Sequence, residues 1–167
     1  MTEGWLATLN AGADDEALAA SLTACCGARR WVEEILGQRP FADVPALLAA
    51  ADAAMAGLDD ADLVEALSAH PRIGEQPTGS DQSWSRQEQS GLTSAAADVL
   101  EEIAEANAEY ERRFGHVYLV CATGKSADEL LAICRARLDN DVAEEDRAIR
   151  EELAKITRIR LAKLLGP

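Results

Sequence analysis

Three residues able to do acid–base and anion chemistry sit where a helical chain normally places apolar side chains. On a wheel of about 100° per residue with Ile156 at zero, Ile149 falls at about 20°, Leu153 at about 60° and Leu164 at about 80°. Arg160 falls at about 40°, in the middle of that stripe, whereas Arg158 falls at about 200°, on the solvent side. An inward guanidinium is costly unless it meets an anion, and the anion is either an internal carboxylate or one carried by a ligand. Glu88 repeats the pattern. With Leu92 at zero, Ala96, Val99 and Ile103 lie within about 40°, with Glu88 at about -40° and Gln89 at about 60°. Ser85-x-x-Glu88 also reads as a capping box, a local task compatible with a chemical one. His70 closes the helix of Leu63, Val64 and Leu67 at about -20° from Leu63. It is either a satisfied core residue or a base at a loop mouth, because Pro71 turns the chain out of the helix there. An acid, a base and a cation turned inward converge in principle on one end of a bundle, which favours a small-molecule site over three separate core residues. Spacing alone does not name the reaction.

The elements that must hold these residues are helices. Capping and breaking residues predict seven or eight, over about 3–9, 14–25, 29–37, 43–57, 60–69, 85–112, 126–139 and 140–165, the sixth bent near Gly91. The most loop-like segment is 71–84, with Gly74, Pro77, Gly79 and Ser80. Residues 114–124 have strand propensity but no strand to pair with, so they are expected to be extended. Ser126-Ala127-Asp128-Glu129 is a capping box, and Asn140 and Asp141 break and recap the chain. The expected architecture is all-α, a compact single-domain helical bundle over residues 1–167 with short connections.

Composition narrows the function classes. The 167 residues are 48% hydrophobic, 28% charged and only 4% aromatic, and alanine-rich helices are the natural way to pack them. A net charge of -14 repels nucleic acid and anionic membranes, so neither is expected as a partner. It also means that a site for an anion must gather its own positive charge. No signal peptide is read, and no apolar run reaches the roughly 18 residues of a membrane helix. Cys25, Cys26, Cys121 and Cys134 are therefore expected as free thiols in a reducing cytoplasm. Their spacing, with two histidines, makes no metal site. Thr123-Gly124-Lys125-Ser126 looks like the tail of a phosphate-binding loop, but Leu119 stands where that motif needs glycine. Cys121 with His116 as a nucleophile pair is disfavoured against a small buried core cysteine.

Several ordered motifs carry a family resemblance. His70-Pro71-Arg72-Ile73-Gly74-Glu75 resembles the signature loop of decarboxylases acting on 2-oxo-4-hydroxy-4-carboxy-5-ureidoimidazoline (OHCU). Trp84-Ser85-Arg86-Gln87-Glu88-Gln89 is similar to that family's S-x-x-E-Q segment. Asn107, Tyr110, Phe114 and Gly115 follow in register, then the stretch 117–126, then Lys155-Ile156 with Arg160-Leu161. Leu9-Asn10, Trp31 and Arg39-Pro40-Phe41 fit upstream, while Tyr118 departs from the more common phenylalanine. The resemblance implies an all-helical homodimer, free of metal and organic cofactor, that converts OHCU to (S)-allantoin in urate breakdown. It implies His70, Glu88 and Arg160 as catalytic residues. It implies substrate contacts from Pro71, Ser85, Gln89 and Arg160 and from the backbone of Val120, Cys121 and Ala122. Two alternatives stay open: a lyase on a related ureido acid, and a non-catalytic helical binding module with an Arg160–Glu88 core ion pair.

Overall fold

The computed structural model describes residues 2–75 and 83–166. Among them the chain forms nine α-helices, one 3-10 turn and no strand. The helices are α1 (Thr2–Ala11), α2 (Asp15–Cys25), α3 (Arg29–Gly37), α4 (Val44–Ala56), α5 (Asp60–Ser68), α6 (Ser83–Glu88), α7 (Ala97–Phe114), α8 (Ala127–Arg137) and α9 (Val142–Leu165). The 3-10 turn is Ser90–Leu92. None of these helices is long and apolar enough to cross a membrane. Pro77, Gly79 and Ser80 of the expected loop lie outside the described residues.

The helices divide between two compact units. The first is Met1–Ala66 with Ala154–Pro167. Asp14 and Asp43 start α2 and α4 by accepting the amides of Ala17 and Ala46 at 3.0 and 2.8 Å. Leu9, Leu22, Trp31, Ile35, Leu47 and Leu161 are fully buried within it. The indole of Trp31 donates to the Ala51 carbonyl at 3.1 Å, so its one polar group is satisfied in the core. The Asn10 carboxamide exchanges both hydrogen bonds with the Phe41 backbone, at 2.9 and 2.8 Å.

The second unit is Leu67–Leu153. Here α7 packs on α8, and the centre is polar. Glu145, 1% exposed, accepts from the Tyr110 hydroxyl, from Arg137 Nε at 2.8 Å and from Asn140 Nδ2 at 3.0 Å. The Arg137 guanidinium also lies over the rings of Tyr110 and Tyr118. A buried carboxylate is tolerable only with such a set of donors. Ser126 caps α8 by accepting the Glu129 amide at 3.2 Å. Asp141 and Glu144 form a reciprocal capping box at the start of α9, at 2.8 and 3.0 Å.

The single helix expected over 85–112 is not formed. The chain makes α6, then the 3-10 turn, and restarts at Ala97. Gly91 supplies the reason. A Cβ there would lie 2.2 Å from the Lys125 carbonyl oxygen, so the backbone of the turn rests directly on that carbonyl. Ser90, Gly91, Thr93 and Ser94 also have little helical preference, and Thr93 Oγ1 bonds the Ser90 carbonyl instead. Two expectations fall with the long helix. Ser85 is inside α6 rather than at its start, so Ser85-x-x-Glu88 is not a capping box. The proposed face is also broken: Ile103 is buried, but Ala96 is exposed and Val99 half-buried. Gly91→Ala is expected to cost about 1–3 kcal/mol by overpacking. The measurement is a lowered urea midpoint at unchanged slope.

In α5, Leu63 and Leu67 are buried as expected, but Val64 is 62% exposed. The helix also ends at Ser68, so His70 lies two residues past it and is half-buried.

Candidate active site

The candidate residues of the second unit lie on three pieces of backbone. The first is the loop after α5. The His70 amide donates to the Leu67 carbonyl at 3.0 Å, which winds the chain one more turn before Pro71 releases it. Beyond it, Asn107 Nδ2 of α7 donates to the Ile73 carbonyl at 2.8 Å. Gly74, at φ 90°, takes the left-handed backbone open to glycine. Arg72 is held by Glu111 at 2.6 Å and Glu75 at 3.2 Å.

The second piece is α6. Ser85 and Glu88 are buried, at 6% and 9% exposure. Glu88 is thus inward, as expected, although not through the helical face that suggested it. Gln89 is engaged with the loop: its Oε1 accepts the Gly74 amide at 3.0 Å and its Nε2 donates to the Arg72 carbonyl at 3.5 Å. The carboxamide therefore ties the loop that follows His70 to the end of α6.

The third piece is the stretch after α7. Gly115 ends that helix at φ 79°. The chain then runs without turn or bend over 117–122, extended as expected, and the side chains from Tyr118 to Ala122 are buried. The Cys121 amide donates to Glu152 Oε2 at 2.8 Å, and its carbonyl accepts from Lys125 Nζ at 2.7 Å. His116 packs against Tyr110 and Phe114, with Nδ1 3.1 Å from the Val117 carbonyl.

Arg160 belongs to the first unit. It is 8% exposed, and its Nη1 donates to the Ala24 carbonyl at 3.2 Å. Arg158 is 58% exposed at the side chain and pairs with Asp52 at 2.8 Å. The inward and outward assignments of the two arginines both hold. Burial pushes the Cys25 thiol up to about 12 and the Cys26 thiol up to about 11, and the nearby Arg160 guanidinium only partly offsets this. Both stay protonated at neutral pH, which removes them as nucleophiles. All four cysteines are buried and free. Native protein at pH 8 is expected to show no fast reaction with a disulfide-exchange chromophore, and four thiols after denaturation. Fast reaction of one native thiol would contradict this burial.

Glu152, Lys125 and Arg137, which hold the extended stretch, were not among the residues singled out by sequence. Lys125 reads only as the end of a failed phosphate motif. The signal that points to them is that a buried extended segment with no strand to pair with needs polar partners from elsewhere.

A sequence model of the family described as OHCU decarboxylase matches residues 11–162. The uric acid degradation bifunctional protein TTL of Arabidopsis thaliana is 33% identical over 147 residues, 85% of this chain and 45% of that protein. This chain thus spans less than half of that relative. The 2-oxo-4-hydroxy-4-carboxy-5-ureidoimidazoline decarboxylase of Haloferax volcanii is 28% identical over 134 residues, 80% of each chain. Among solved structures, an OHCU decarboxylase crystallised in the presence of (S)-allantoin superposes with a TM-score of 0.76 at 28% identity. That match covers 89% of this chain and 99% of the other.

Proposed function

The chain belongs to the OHCU decarboxylase family, and from that premise we propose that it decarboxylates OHCU to (S)-allantoin in urate degradation. The observation that carries this reading is the likeness to the decarboxylase crystallised with (S)-allantoin, which extends over 89% of this chain.

The substrate supplies its own electron sink. One ring carbon bears both the hydroxyl and the carboxylate, beside a C=N bond. When the bond to the carboxylate breaks, its electron pair forms a C=C bond with the neighbouring carbon, and the C=N pair moves to nitrogen, which takes a proton. The hydroxyl of the resulting enol then loses its proton to become the carbonyl, and the neighbouring carbon gains one. The face of that last protonation sets the handedness of the product. No metal or organic cofactor is needed for these steps.

We assign roles residue by residue. Arg160 grips the carboxylate or the ureido oxygens, a task suited to a planar guanidinium. His70 moves the proton, since an imidazole can accept a proton at one ring nitrogen and donate one from the other. Glu88 either fixes the imidazole tautomer or holds the ureido group. Pro71, Ser85, Gln89 and the backbone of Val120 and Ala122 line the substrate; the expected Cys121 backbone contact is not part of this reading, because Glu152 takes its amide and Lys125 its carbonyl. The buried free thiols support a cytoplasmic setting, and the family resemblance supports a homodimer, which light scattering on a sizing column would test.

The test of the activity uses OHCU labelled with carbon-13 at the carboxylate, made in place from urate by urate oxidase and hydroxyisourate hydrolase. Labelled carbon dioxide and bicarbonate are expected to form at a rate proportional to added protein. Release at the spontaneous rate would defeat the proposal.

A further inference from the structure

The extended stretch is bonded on one edge and open on the other. In an extended chain a residue's own N–H and C=O point to the same edge, and those of its neighbours point to the opposite one. Leu119 and Cys121 share an edge, and three charged side chains close it. Arg137 Nη1 donates to the Leu119 carbonyl at 2.5 Å, Glu152 Oε2 accepts the Cys121 amide at 2.8 Å, and Lys125 Nζ donates to the Cys121 carbonyl at 2.7 Å. Val120 and Ala122 share the other edge. Among the described residues, no hydrogen bond engages the amide or carbonyl of Val120 or the amide of Ala122. Only the Ala122 carbonyl is used, by the Lys125 amide at 3.0 Å, where the chain turns. Yet Val120 and Ala122 are 3% and 4% exposed. Buried backbone groups are almost always paired. A buried row of donor, acceptor and donor therefore calls for an outside partner presenting acceptor, donor and acceptor, as an imide or acylurea group does.

We propose that Lys125, Glu152 and Arg137 are positioning residues that saturate one edge of this stretch, so that the Val120–Ala122 edge is presented rigidly to the ring edge of the substrate, where the 2-oxo group, the ring N–H and the 4-hydroxyl offer acceptor, donor and acceptor. This rests on the OHCU reading above. The three side chains touch the backbone and take no part in the chemistry. Each anchor is a charge-assisted hydrogen bond, short and directional. Arg137 is itself held by Glu145, which ties the platform to the polar centre between α7 and α8. Gly91, resting on the Lys125 carbonyl, brings the turn after α6 against the same anchor.

A misaligned platform weakens ground-state and transition-state binding alike, so the expected signature is in KM rather than kcat. Lys125→Met keeps the stem and removes the ammonium. It is expected to raise KM for OHCU about tenfold, with kcat within about twofold. Lys125→Arg restores a donor and is expected to bring KM back to within about threefold of wild type. Glu152→Gln keeps a weaker acceptor and is expected to raise KM about threefold. It decides the matter if Lys125→Met loses its helical circular dichroism. An unchanged KM in the folded Lys125→Met protein, or in Glu152→Gln if the lysine variant does not fold, overturns the proposal. So does a fall in kcat at unchanged KM. If the wild-type protein leaves OHCU untouched, the functional reading fails first and the platform falls with it.

Discussion

Replacing His70 by asparagine is expected to lower kcat on OHCU by about 100- to 10,000-fold, the usual worth of a positioned general acid–base group. The helical circular dichroism should be unchanged. His70 lies outside α5, is half-buried, and contributes its backbone amide to the final turn. Asparagine keeps that amide and similar bulk while removing the proton-carrying ring. Glu88→Gln separates the two tasks assigned to the carboxylate. If Glu88 fixes the imidazole tautomer, kcat falls and KM holds. If it grips the ureido group, KM rises as well. Near-normal turnover by His70→Asn, measured as labelled carbon dioxide release, would remove the acid–base assignment.

The second large effect is expected at Arg160. Arg160→Lys preserves the charge but loses the planar fork, and kcat/KM should fall about 100-fold, or about 2.7 kcal/mol of transition-state stabilisation. Arg158→Lys is the control. That side chain is 58% exposed, and its pairing with Asp52 is a surface ion pair of little energetic weight. Its kcat/KM should stay within about twofold of wild type. Two arginines two residues apart on the same helix thus give opposite outcomes, because the 3.6-residue period of α9 turns one inward and the other to solvent. Reversal of the two results would contradict the geometry of that helix.

How far the sequence speaks depends on whether a local rule meets a distant contact. Helix ends fixed by their own neighbours are legible, such as Asp14 before α2, Asp43 before α4, Ser126 before α8 and Asp141 before α9. The inward turn of Arg160 is legible too, because α9 is long and unbroken. The break between α6 and α7 is not. Gly91 inside a helical pattern reads as a mild weakness, and only the Lys125 carbonyl, 34 residues on, makes it a required close approach. Glu88 is buried as expected although the continuous helix used to place it does not exist. The family resemblance implies substrate contacts from the backbone of Val120, Cys121 and Ala122, but gives no role to Glu152 and Lys125, which hold that stretch. Their partners are backbone groups, which leave no mark in composition or periodicity.

The most direct test of the central claim is stereochemical, because OHCU also decays unaided to racemic allantoin. OHCU is generated from urate in a circular dichroism cell, with and without the protein, and the allantoin band is followed. Rapid growth of the (S)-allantoin signal with protein, against none in the blank, is the predicted result. A trace that matches the blank in rate and remains optically silent would contradict the account.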